Sequence, residues 1–127
     1  MDFVMLNTQV AWFGILAGVI AGLVQGLFFH KEEWLGGYTS WKRRMVRLAH
    51  ISFFGIGFVN LAFAFAVYSA NIQSAIILPS YLLIIGAITM PIVCYLSAFK
   101  KFFRNLFFIP VLSVLVGTLV FILGGLL

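Results

Sequence analysis

FGILAGVIAGLVQGLFFH, residues 13–30, carries no Asp, Glu, Lys or Arg and sets Gly14, Gly18, Gly22 and Gly26 four apart before ending on His30. It belongs to a predominantly apolar run, Val10–Phe29. A run of about 20 residues rises about 30 Å as an α-helix, the thickness of a bilayer's hydrocarbon layer. Lipid offers the backbone no partners, so a helix, which pairs its own N–H and C=O groups, is the form such a run takes. Three further runs follow, Ile51–Ala70, Ile76–Phe99 and Leu106–Leu127. None alternates as barrel strands do. The whole chain agrees with its parts: 127 residues, 64% hydrophobic and 9% charged, with mean hydropathy +1.17. A soluble domain carries far more charge. The reading is an all-α integral membrane protein of one domain. Four transmembrane helices are expected, at about 8–29, 46–70, 76–99 and 106–127, in an antiparallel up-down bundle.

The cations orient it. Lys31, Lys42, Arg43, Arg44 and Arg47 lie between the first two spans, and Lys100, Lys101 and Arg104 between the last two. The N-terminal tail, the turn near Asn71–Ser74 and the C-terminal residues have none. Basic loops stay in the cytoplasm, so both termini are expected outside, in the cell's inner (plasma) membrane. The first span has no basic segment before it, so it is expected to remain in the mature protein. The pI near 9.8 does not point to nucleic acid, because the charge flanks spans and meets anionic headgroups there. In the loop HKEEWLGGYTSWKRRMVR, aromatic and charged residues mix, which suits a segment at headgroup level, and Gly36-Gly37 interrupts any helix. Pro79 and Pro110 fit first turns. Pro91, mid-span, should kink the third helix and free the carbonyl near Ala87, with Thr89 or a water to satisfy it.

Apolar burial does not drive helix pairing in lipid; close packing and hydrogen bonds do. The four glycines of span one therefore read as a groove for a partner helix crossing at about −40°. Ser113, Gly117 and Gly124 on span four, or another protein, are the expected partners. Gly57 and Asn60 extend a small and polar line on span two, below His50. Gln25 and Asn60 are expected to hydrogen-bond between helices.

His30 closes span one and His50 opens span two, at what reads as similar depth. With glycines nearby to admit a flat macrocycle, and Arg43, Arg44 and Arg47 to pair its propionates, they are possible axial ligands of a b-haem. Solvated interfacial histidines that bind nothing are the alternative. A metal ion alone is less well served, with no third ligand in view. The lone Cys94 excludes an internal disulfide. The adjacent Glu32 and Glu33 are not spaced as an acid/base pair, and no nucleophile triad, phosphate loop or zinc spacing occurs. No charge falls within a span, which argues against a proton-coupled transporter. The sequence thus points to a non-catalytic accessory or structural subunit, binding no cofactor and packing among other integral membrane subunits, possibly of an electron-transport complex. A b-haem electron-transfer subunit is the alternative, and a small homo-oligomeric transporter or channel the third.

Overall fold

The computed structural model describes residues 2–127. Four helices follow one another: α1 Asp2–Gly26, α2 Trp41–Ser69, α3 Ile77–Phe99 and α4 Phe108–Phe121. A short 3-10 turn, Trp34–Gly36, precedes α2. A second, Lys101–Leu106, leads into α4, whose final turn widens to a π-helix over Ile122–Leu126. Among the described residues there is no strand. The four segments Asp2–Gly26, Trp41–Ser69, Ile77–Phe99 and Lys101–Leu126 are each long and apolar enough to cross a membrane.

Three boundaries differ from their expected places. α1 begins six residues early and ends at Gly26, with Leu27–His30 in turns. α2 begins at Trp41 because Ser40 caps it: the Ser40 hydroxyl accepts from Arg43 N at 3.2 Å and donates to the Leu35 carbonyl at 2.6 Å. Leu35, Gly36 and Gly37 all have positive φ, at 54°, 86° and 100°, so the two glycines turn the chain where a side chain would strain it. Half of the loop expected at headgroup level is therefore the start of α2. At about 1.5 Å per residue α2 is about 43 Å long, about nine residues more than a hydrocarbon layer needs. Its first nine residues, Trp41–Ala49, hold all four of its cations.

α3 runs through Pro91 as one helix. The Thr89 hydroxyl donates to the Ile85 carbonyl at 2.6 Å, one turn back, and is not turned to Ala87 as expected. α2 and α3 are central, with α1 packed on α2 and along part of α3, and α4 packed on α3. Val114 of α4 fills the space over Gly86, and a Cβ on Gly117 would stand 3.0 Å from Leu82 Cβ. Near the turn after α2 the core is Val4, Phe63, Ala64, Val67, Leu83 and Phe121, with the Phe63 and Phe121 rings edge-to-face at 4.8 Å. Successive helices are antiparallel, so the end of α1, the start of α2, the end of α3 and the linker into α4 meet at one end. All eight Lys and Arg residues collect there.

Candidate functional site

The glycines of α1 face α2. A Cβ on Gly14 would lie 3.5 Å from the Phe53 carbonyl, and one on Gly57 would lie 3.4 Å from the Ala11 carbonyl. The two backbones come close at that level. Towards the cationic end, α2 side chains fill the spaces. A Cβ on Gly18 would meet the Phe54 ring at 2.8 Å, and one on Gly22 would meet His50 Nε2 at 2.7 Å. Gly26 faces open space. The partner of this groove is thus α2 of the same chain. Gly117, expected opposite it, lies in the α3–α4 contact instead. The contact positions Val4, Asn7, Ala11, Gly14, Gly18, Gly22 and Gln25 step by three and four. Their mean spacing is about 3.5 residues, which keeps one face of α1 against its neighbours.

The histidines are not brought together. His50 is half-buried, with Nε2 seated on Gly22 and its ring edge-to-face with Phe54 at 5.4 Å. His30 is exposed, in the turn beyond the end of α1 and eight residues past Gly22. His50 Nε2 is thus turned onto α1. Two of the three arginines are also committed. Arg43 is buried, and its guanidinium donates through Nη1 to the Lys31 and Glu32 carbonyls at 3.2 and 3.1 Å, and through Nη2 to the Phe29 carbonyl at 3.1 Å. The rings of Phe29, Trp34 and Tyr38 stand 5.2–5.5 Å from it. A cation here complements the partial negative charge at the end of α1 and ties that end to α2. Arg47 lies over Tyr38 at 4.1 Å and donates to its carbonyl at 3.2 Å. Arg44 is exposed beside Trp41. These residues do not fit a bis-histidine haem site with paired propionates.

At the opposite end three buried polar side chains form one network. Asn7 Nδ2 donates to Asn60 Oδ1 at 2.7 Å and to the Ser80 carbonyl at 3.3 Å. Asn60 Nδ2 donates to the Leu83 and Ile56 carbonyls at 3.1 and 2.9 Å. The Ser80 hydroxyl donates to Asn7 Oδ1. Asn7 and Asn60 are wholly buried and Ser80 nearly so, and together they link α1, α2 and α3. Gln25 is buried at the other end of α1, with its Oε1 lacking a hydrogen-bond partner. Asn60 was readable as an interhelical bond. Asn7 was not, because the expected span began one residue after it. The signal was its place on the stripe that Val4 and Ala11 continue.

Apolar grooves lie on the bundle surface. One of about 460 Å³ lies between α2, α3 and α4 and is lined by Ile56, Met90, Pro110, Val114 and Thr118. Another of about 410 Å³ lies between α1 and α2, lined by Val4, Thr8, Leu61, Phe65 and Tyr68. Neither lining includes a carboxylate, imidazole or thiol. Among the described residues no three His, Cys, Asp or Glu side chains are grouped to hold a metal ion. No protein family, curated protein or solved structure matches this chain.

Proposed function

We propose that the chain is a four-pass protein of the inner (plasma) membrane, with its cationic end in the cytoplasm and both termini outside. In this reading it serves as a non-catalytic subunit that packs against unlike membrane proteins. Two features support the orientation. The eight cations share one end of the bundle, and the cation-bearing start of α2 is the part that exceeds a hydrocarbon layer.

The observation that carries the role is the division of labour between the two faces of α1. Asn7 and the glycines Gly14, Gly18 and Gly22 are turned to α2 and α3. Its other face presents Trp12, Leu16, Val19 and Leu23 as an exposed apolar stripe at helical spacing. α4, packed on α3, keeps a similar apolar outer face. Faces of this kind cover a neighbouring helix or lipid; they do not hold a polar substrate.

A photo-crosslinking residue placed at Leu16 or Leu23 in native membranes tests the role, with Ala11 as the buried control. Crosslinks from Leu16 and Leu23, but not Ala11, to an unlike membrane polypeptide are expected. Crosslinks to a second copy of the chain would favour a homo-oligomeric transporter or channel. Crosslinks to lipid alone would remove the subunit reading.

A further inference from the structure

Two exposed cations from different segments stand over one fixed aromatic ring, and a third stands over its neighbour. Trp41 opens α2, and its Nε1–H donates to the Ser97 carbonyl at 2.7 Å, which pins the indole against the end of α3. Arg44 from α2 stands 5.9 Å from that ring, and Lys101 from the α3–α4 linker 5.6 Å. Lys42 stands 5.5 Å from the neighbouring Phe99 ring. All three cations are exposed. The chain has three acids. Asp2 is at the far end of the bundle, and Glu32 and Glu33 lie in the loop after α1. Among the described residues no carboxylate comes within the 4.0 Å of an ion pair with these cations. Exposed cations with no carboxylate in reach leave their charge open to an external anion. The start of α2 adds to the pull, since the Ser40 hydroxyl occupies only the Arg43 N–H there.

The surroundings define the anion. Phe99, beside Lys42, and Phe102, next in sequence to Lys101, are 67% and 72% exposed. Rings in that place meet acyl chains and not water. We propose that Lys42, Arg44 and Lys101, gathered about Trp41 and Phe99, seat the phosphate headgroup of an anionic phospholipid whose chains run down past Phe99 and Phe102. The seat joins the first turn of α2 to the α3–α4 linker, so an occupied seat holds α4 to the rest of the bundle. This inference rests on the membrane reading above.

Native mass spectrometry of the detergent-purified protein tests it, with phosphatidylglycerol and phosphatidylcholine of equal chain length supplied together. Retention of phosphatidylglycerol over phosphatidylcholine is expected. The double variant Arg44→Gln/Lys101→Gln should lower that preference about thirtyfold, while Lys31→Gln/Arg104→Gln, with the same change in net charge, should leave it within about threefold. Equal loss in both double variants would mean a diffuse surface charge and overturn the seat. So would equal retention of the two lipids. Thermal protection of delipidated protein by inorganic phosphate alone, with no added effect of phosphatidylglycerol, would assign the cluster to a soluble anion and overturn the lipid. Because the lipid is delivered in detergent micelles, the result does not depend on orientation in the cell, which labelling of intact cells reads separately.

Discussion

Replacing Asn7 by leucine removes the α1 side chain that bonds across to both α2 and α3. Asn7→Leu is nearly isosteric, so the cost lies in the polar groups left behind. Asn60 Oδ1 loses its only donor at 2.7 Å, and the Ser80 hydroxyl keeps only the longer bond to the Phe3 carbonyl at 3.4 Å. An interhelical bond within a membrane contributes about 0.6 kcal/mol on average and up to about 1.7 kcal/mol. A stranded buried acceptor adds about 1–3 kcal/mol. Asn7→Leu should therefore destabilise by about 2–3 kcal/mol. Asn60→Leu should cost less, about 1–2 kcal/mol, because Asn7 keeps its Ser80 partners. With both residues changed, no polar group of the pair faces an apolar one. The double variant should then be more stable than the sum of the single changes by about 1–2 kcal/mol. Reversible unfolding in mixed micelles of increasing sodium dodecyl sulfate, followed by far-ultraviolet circular dichroism, measures all four corners of the cycle. Additivity within about 0.5 kcal/mol would mean that the two amides do not interact, and would refute the network.

Arg43→Leu removes the donor to the Phe29, Lys31 and Glu32 carbonyls, of which Lys31 keeps its bond from Trp34 N, and should destabilise by about 2–4 kcal/mol, with faster amide exchange over residues 27–36; Arg43→Lys, which keeps charge but not the planar fork, should recover only part of this. Gly18→Leu overpacks against Phe54 and should lower stability by about 1–3 kcal/mol or more, whereas Gly26→Leu, facing open space, should cost less than about 1 kcal/mol in the same unfolding assay. Because His50 Nε2 rests on Gly22, the purified protein should show no bis-histidine Soret band after incubation with haem. A band lost in His50→Ala would contradict the packing described at that position.

The number, length and sequence limits of the apolar runs carried the four helices, because lipid thickness sets a length that composition alone can match. The glycines also marked a true contact, but not its partner. A stripe of small residues says that something approaches closely; which helix does so depends on tertiary packing between residues distant in sequence. Span four's Gly117 was an expected neighbour; span two supplies the contact instead, through Phe53, Phe54 and His50. Asn7 lay beyond legibility for a different reason. Hydropathy ends a span where polar residues begin, while the α1 helix continues to Asp2 and buries Asn7 against α2 and α3. Arg43 and Arg44 show the same limit at the other end. Adjacent in sequence and alike in charge, they differ because helical geometry turns Arg43 into a nest of carbonyls and leaves Arg44 exposed.

The orientation of the four crossings is the claim on which the proposed role depends. Single cysteines introduced in a Cys94→Ala background at Ser40, Gln73 and Asn105, treated in intact cells with a membrane-impermeant maleimide, test it directly. Labelling at Gln73→Cys in intact cells is expected, with Ser40→Cys and Asn105→Cys reacting only once the membrane is opened. If Ser40→Cys and Asn105→Cys respond from opposite sides of the membrane, the common cytoplasmic face for the cations does not exist.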